Sequence, residues 1–229
     1  MELVFDGKTK SVYKLNDECY LLKFKDDATG EGGVFDPGSN KVGLVIEGMG
    51  RNSVRLSEYF FSKIEASGIH THYIKADVEN ASMIVKKAVA FGKGLEVICR
   101  YRAVGSYIKR YGGYIEDGGE LNGLVEFTLK DDAKNDPLIT QDSLEALKIL
   151  KQGEFELLKN LTKRISEIIK NEFSNKNAEL YDIKIEFGKL SDGTIVLIDE
   201  ISGGNMRVYH RGKKVGPLEI SRLILEPFI

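Results

Sequence analysis

The 229-residue sequence predicts an α+β fold, with an antiparallel β lobe first and a second α+β lobe after it. Three observations carry this. Short apolar or alternating runs crowd the first quarter, the long helical patterns come later, and strands rarely alternate one for one with helices as a doubly wound sheet requires. The seam falls within residues 75–95. Residues 1–85 are read as the antiparallel lobe with its glycine-lysine loop, and 86–229 as the second lobe.

Leu3-Val4-Phe5 and residues 11–15 and 19–24 are strand-like runs split by Asp6-Gly7 and Asn16-Asp17, turn signals that predict a three-stranded meander. Residues 25–51 are rich in Gly and Asp with weak periodicity, and read as a long loop of the kind kept for function. Over 52–66, Leu56, Tyr59, Phe60 and Ile64 share one helical face, and Gly68 is placed to end the helix. Strand-like segments follow at 71–74, 83–89 and 95–101. A second helical pattern covers 142–173, with Leu157, Leu158, Leu161, Ile165, Ile168, Ile169 and Phe173 at three- and four-residue spacing and Gly153 placed to split it. Last comes a hairpin: Ile183, Ile185 and Phe187 alternate with Lys184 and Glu186, Ser191-Asp192-Gly193 turns the chain, and 194–198 returns.

Composition narrows the function. With 33 basic against 35 acidic side chains and 42% hydrophobic residues, the chain reads as a soluble globular protein with no field for nucleic acid. Cys19 and Cys99 make no metal or redox motif, the first residues lack a signal peptide's basic and apolar regions, and no apolar run spans a bilayer. The expectation is a cytoplasmic protein. The 24 glycines cluster, and five of nine arginines (Arg100, Arg102, Arg110, Arg207 and Arg211) fall in two short stretches, as loops and planar donors around an anion would. No P-loop, dinucleotide-binding or nucleophile-elbow motif is present. His70 and His72 fall on one strand face. They read either as two of a metal's ligands, with no third nearby, or as ordinary strand residues.

Four constellations carry candidate chemistry. Gly7-Lys8-Thr9-Lys10, between two strands, offers backbone N–H groups and two ammoniums to a polyphosphate. Folding the hairpin about its turn sets Glu186 and Asp199 opposite each other to within one residue of register, and two such carboxylates repel unless a cation lies between them. Arg100, Arg102, Gly105 and Ser106 at the end of the strand over 95–101 make a phosphate cradle. Lys130-Asp131-Asp132 with Asn135-Asp136-Pro137 forms a dense polar cluster. Together they describe a site for a nucleotide, a metal and a second phosphorylated or acidic substrate.

These residues resemble, in collinear order over nearly the whole chain, the SAICAR synthetase family of purine biosynthesis. The matching pieces are Gly7-Lys8-Thr9-Lys10-Ser11-Val12-Tyr13, Phe24-Lys25-Asp26-Asp27-Ala28-Thr29, Gly68-Ile69-His70-Thr71-His72, Leu95-Glu96-Val97-Ile98-Cys99-Arg100 with Ala103-Val104-Gly105-Ser106, Lys130-Asp131-Asp132 with Asp136-Pro137, Tyr181-Asp182-Ile183-Lys184-Ile185-Glu186-Phe187-Gly188, and Asp199-Glu200-Ile201-Ser202. The resemblance implies a nucleotide lobe like those of kinases and ATP-grasp enzymes. It implies an ATP- and Mg²⁺-dependent ligase joining an imidazole ribonucleotide carboxylate to aspartate, and a homo-oligomer. It places Gly7, Lys8, Thr9, Lys10, Ser11, Val12 and Glu96 at ATP and Glu186 and Asp199 at Mg²⁺. Arg100, Gly105, Ser106 and Arg207 go to the ribonucleotide, and Lys130, Asp136 and Asp182 to the reacting region.

The sequence departs from the family at three places. Gly203-Gly204-Asn205-Met206 stands before Arg207 where the family has Pro-Asp and a small residue or two, removing a substrate-facing carboxylate. Gly30-Glu31-Gly32-Gly33 replaces the usual Ala-Phe-Asn/Asp-Gly, and residues 216–229 are shorter than the family's closing helix. These leave open two alternatives: a paralogous ligase for a different carboxylate or amine, and a nucleotide-binding protein without catalysis.

Overall fold

A computed structural model describes residues 1–226. Strands β1 (Glu2–Asp6), β2 (Lys10–Lys14) and β3 (Cys19–Phe24) form the expected antiparallel meander. The expected long loop instead carries three short strands, β4 (Asp27–Glu31), β5 (Val34–Phe35) and β6 (Val42–Val45), in a small sheet of order β5-β4-β6. Strands of two to five residues are too short to print a period on the sequence. This segment, 27–45, is a flap over the site. Helix α1 (Met49–Ala66) buries Leu56, Phe60 and Ile64 of the expected face, with Phe61 beside them, while Tyr59 is half-buried. β7 (Tyr73–Asp77) and β8 (Ser82–Lys86) then complete a five-stranded sheet of order β1-β2-β3-β8-β7.

The second sheet starts at β9 (Val89–Ala90) and β10 (Leu95–Arg102). After α2 (Ser106–Tyr111) come β11 (Glu120–Leu129), α3 (Gln141–Ala146) and α4 (Glu154–Ser174), the last two separated at Gly153 as expected. β12 (Ala178–Lys189) and β13 (Ile195–Ile198) form the predicted hairpin, and β14 (Met206–His210), β15 (Lys213–Lys214) and α5 (Pro217–Leu225) close the described chain. The main path of this sheet is β11-β10-β12-β14-β15, with β9 and β13 both paired to β12. Residues 227–229, the end of the segment read as a shortened closing helix, lie outside the described residues.

Strand period fixes what each face of this sheet does, because neighbours along a strand point to opposite sides. Val97 and Cys99 of β10, opposite Ile185 and Ile183 of β12, are buried in the core under α4, whose Leu158, Ile165, Ile169 and Phe173 supply the facing stripe. The alternate residues, Glu96 opposite Glu186, Ile98 opposite Lys184, and Arg100 opposite Asp182, all line cavities on the other face. Glu126 and Thr128 of β11 extend these rows on one side, and Arg207 of β14, opposite Asp182, on the other. Among the described residues no helix is long and apolar enough to cross a membrane.

Candidate active site

Two cavities adjoin over the polar face of the second sheet. The smaller, about 470 Å³, is lined by Gly7, Lys8, Thr9 and Lys10 from the β1–β2 turn together with Lys130, Glu186, Asp199 and Glu200. The larger, about 790 Å³, is lined by Arg100, Ser106, Arg110, Asp136, Asp182 and Arg207. Glu96, Lys184 and Asn205 border both, as do Pro37, Ser39 and Asn40 of the flap.

In the smaller cavity lysines and carboxylates interlock. Lys10 is ion-paired with both Asp199 and Glu200, and Lys130 Nζ donates to Glu186 at 2.7 Å. Lys184 Nζ reaches Glu96 at 2.6 Å, and Thr128 donates to the same carboxylate at 3.1 Å. Burial lowers the affinity of Lys10 for its proton, but Asp199 and Glu200 outweigh it and keep Lys10 charged; Glu186 does the same for Lys130. Four buried carboxylates thus face three ammoniums, and the deficit shows. Burial and the charge on Asp199 push Glu186 up, and push Glu200 up to about 7. Burial also opposes charge on Asp199, but Lys10 and Lys130 prevail and hold it well below the usual carboxylate range.

The hairpin register falls one residue short of this pair: Ile198 is opposite Glu186, and Asp199 follows one residue on, with φ at 71°. Among the described residues no three His, Cys, Asp or Glu converge into a ready-made metal cage. Two hard carboxylates beside a lysine-lined turn, with negative charge to spare, fit Mg²⁺, which takes one or two carboxylates and completes its shell with phosphates and water.

In the larger cavity the guanidiniums are fixed by acids. Arg100, 2% exposed, donates to Glu126 at 2.6 Å, Asp182 at 2.7 Å and Ser106 Oγ at 2.9 Å. Arg110 of α2 shares Glu126 at 2.6 Å. Arg207 donates to Asp182 and to Asp36 of the flap, each at 2.7 Å. Burial pushes Asp182 up despite both arginines. Asp136 lines this cavity near Asp132 and accepts the Asp131 N–H at 2.8 Å.

Several expected site residues lie elsewhere. Arg102 faces away from the cradle, pairs with Glu179 at 3.3 Å and lines a separate small cleft. The pairing with β11 is irregular there, Arg100 lying opposite Leu124 and Arg102 opposite Glu120, two residues off the regular register, and at this bulge Arg102 leaves the face on which simple alternation would have kept both guanidiniums. Arg110 stands in its place. Ser11 donates to Asp6 at 2.6 Å and Val12 packs on the core, so neither lines a cavity. Gly105 caps α2 at φ 58°, and a Cβ there would lie 2.6 Å from Arg207 Nη2, so its part is to leave room for that guanidinium. His70 is exposed while His72 is buried, which rules out their joint ligation of a metal. Asp36 and Glu126 were not expected in the site. The glycine-rich flap segment signalled the first only as a functional loop, and the strand register reveals the second only once β10 and β11 are known to pair.

The segment after Glu200 accounts for one departure. A Cβ on Gly203 would lie 2.7 Å from Pro217 Cα, at the start of α5, so this chain has no space for proline there. Asn205 staples the turn, its amide donating to the Glu200 carbonyl at 2.6 Å and accepting the Ser202 N–H at 3.0 Å.

Adjoining cavities, one of lysine-paired carboxylates and one of acid-paired arginines, lie side by side on one face of an antiparallel sheet in an α+β protein. The chain belongs to the SAICAR synthetase family, whose sequence profile matches residues 3–219. It is 56% identical to a phosphoribosylaminoimidazole-succinocarboxamide synthase of Clostridium tetani, over 99% of this chain and 100% of that one. It is 38% identical to the protein of that name from Finegoldia magna, over 92% and 87%. Among solved structures, a SAICAR synthetase in complex with ADP superposes with a TM-score of 0.86 at 29% identity, covering 98% of both chains.

Proposed function

We propose that the chain is an ATP-dependent carboxylate–amine ligase that joins carboxyaminoimidazole ribonucleotide to L-aspartate, giving SAICAR, ADP and phosphate in purine synthesis. The observation that carries this is the shared wall of Glu96, Lys184 and Asn205, which sets the lysine-lined and arginine-lined cavities edge to edge, as a polyphosphate and a second anion would need. The family membership and the relatives' names support the same reading.

A carboxylate is a poor electrophile, and the reaction makes it a good one. A carboxylate oxygen attacks the γ-phosphorus, the bond to ADP breaks, and an acyl phosphate forms. The aspartate amine attacks the acyl carbon, phosphate leaves with its oxygen, and the amine gives up a proton. Positioning and charge neutralisation are the protein's part. Lys8 and Lys10 hold the ATP phosphates beside Gly7 and Thr9. Arg100, Ser106 and Arg207 hold the ribonucleotide phosphate, and Lys130, Asp136 and Asp182 border the reacting groups. Glu186 and Asp199 hold Mg²⁺, which when bound neutralises phosphate charge. Residues 1–85 and 86–229 are read as two lobes, a reading supported by the change from the five-stranded to the seven-stranded sheet between Lys86 and Val89. A cytoplasmic homo-oligomer is part of the same reading.

Gly203 is a packing accommodation to Pro217, so the missing proline does not by itself signal another substrate. The deciding experiment is ADP release with ATP, Mg²⁺, carboxyaminoimidazole ribonucleotide and aspartate, leaving out each in turn. Turnover requiring every component supports the reading. ATP binding without turnover overturns its substrate half.

A further inference from the structure

We propose that His72 is a positioning residue: by donating Nε2–H to the carbonyl of Asp199, it holds the backbone turn that aims the Asp199 carboxylate at the metal and phosphates. This rests on the reading of Asp199 as a metal ligand.

The need for such a residue follows from the hairpin register. Directly opposed residues of an antiparallel pair point to the same face, so Ile198 shares a face with Glu186. Continued as a regular strand, Asp199 would point to the opposite face. Instead its φ is 71°, the left-handed region that residues with a Cβ avoid, and that rotation brings the carboxylate back to the cavity with Glu186. A disfavoured backbone state persists only where its surroundings hold it.

His72 is the group that holds it. Its Nε2 lies 3.0 Å from the Asp199 carbonyl oxygen, which accepts only, so the proton is on Nε2. The imidazole is 4% exposed and packs edge-on against Phe61, with ring centroids 5.7 Å apart. Its backbone is equally constrained. The His72 N–H donates to Leu197 at 2.9 Å, its carbonyl accepts the Lys86 N–H at 2.7 Å, and the Leu197 N–H donates to His70 at 3.0 Å. His72 therefore links the end of β8 in the first sheet to the end of β13 in the second, next to the residue whose direction matters most. Groups that orient a metal's ligands commonly act in this way.

The test uses His72→Gln, which keeps an N–H donor of similar reach, and His72→Asn, which is too short. The first measurement is calorimetric binding of Mg²⁺ with ADP. His72→Asn is expected to weaken it by about tenfold or more, the usual cost of losing such support. The KM for the phosphorylated ribonucleotide, set by the arginines, should hold, and His72→Gln should restore metal binding. A general structural role would instead lower thermal stability and shift both substrates together, which overturns the proposal. The second measurement is a crystal structure of His72→Asn. Asp199 leaving the left-handed region supports positioning; an unchanged Asp199 overturns it. Asp199→Asn is the control for the underlying reading: unaltered Mg²⁺ binding there removes Asp199 from the metal, and the crystal structure then decides the role of His72 alone.

Discussion

Asp36 of the flap lies 2.7 Å from the guanidinium of Arg207, so a carboxylate already sits on an arginine that faces the larger cavity. The consequence is electrostatic. Arg100, Arg110 and Arg207 are balanced by Glu126, Asp182 and Asp36, and the cluster as a whole is neutral. A phosphate gains net attraction there only when Asp36 yields. Asp36→Asn should therefore lower the KM for the phosphorylated ribonucleotide by about threefold to tenfold, the effect of one partly screened charge. A raised KM would show instead that Asp36 holds Arg207 in a productive pose.

The same pair has a pH signature. Burial opposes charge on Asp36, but the Gly38 N–H and Arg207 win and hold its carboxyl below the ordinary range. With the folded value below the unfolded one, the pair stabilises the fold above the usual aspartate range and is lost as pH falls through the folded value. Thermal melts of the wild type and Asp36→Asn should differ at neutral pH and converge in acid. A difference that persists in acid would mean the charge is not its source.

Arg207→Ala should raise the KM for the phosphorylated ribonucleotide by about tenfold or more, as loss of a charged hydrogen bond to phosphate would, with ATP affinity little changed. Gly105→Ala should act in the same direction without removing any charge, because the new methyl would meet Arg207 Nη2 at 2.6 Å. Steady-state kinetics with each substrate varied separately checks both. A matched loss in the KM for ATP would place the phosphate elsewhere.

Much of this site was legible because strand period is simple. Ile183, Ile185 and Phe187 alternating with Lys184 and Glu186 already separate core from cleft, and the Ser191-Asp192-Gly193 turn brings Glu186 opposite Ile198, one residue from Asp199. What was not legible is backbone irregularity. Nothing in Arg100-Tyr101-Arg102 announces the bulge that turns Arg102 away, and nothing in Ile198-Asp199 announces a left-handed turn. The flap was hidden for another reason: its strands are held by pairing within 27–45 and not by an apolar face. Asp36 could be placed only once that pairing was known.

Glu186→Gln and Asp199→Asn should each reduce turnover by about a thousandfold or more, on the scale of losing a charge aimed at the transition state, while leaving the protein folded. The fold should survive because each substitution keeps the shape of a side chain at a cavity wall; Glu186→Gln relieves repulsion with Asp199, and Asp199→Asn leaves Lys10 paired with Glu200 and Lys130 with Glu186. Stripping Mg²⁺ with a chelator should match their effect on the wild type and add nothing further to either variant. Residual chelator sensitivity in both variants would move the metal to other ligands.

Gly203 offers a prediction about the departure from the family pattern. A Cβ there would lie 2.7 Å from both Cα and O of Pro217, and these are backbone atoms at the first turn of α5, which cannot swing aside as the end of a side chain could. Gly203→Ala must then push α5 away or shift the 200–205 turn. Overpacking of this kind costs about 1–3 kcal/mol. For a chain of this length that is roughly 2–12 °C in melting temperature. The two responses are distinguishable. If α5 moves, stability falls while Arg207 and Asn205 stay in place and both substrate KM values hold. If the turn moves, the Asn205 bonds to Glu200 and Ser202 are lost, and the KM for ATP rises along with that for the ribonucleotide, because Asn205 borders both cavities. The first outcome is expected, since the turn is held by hydrogen bonds on both sides. An alanine variant as stable as the wild type would mean that glycine is not required at this position.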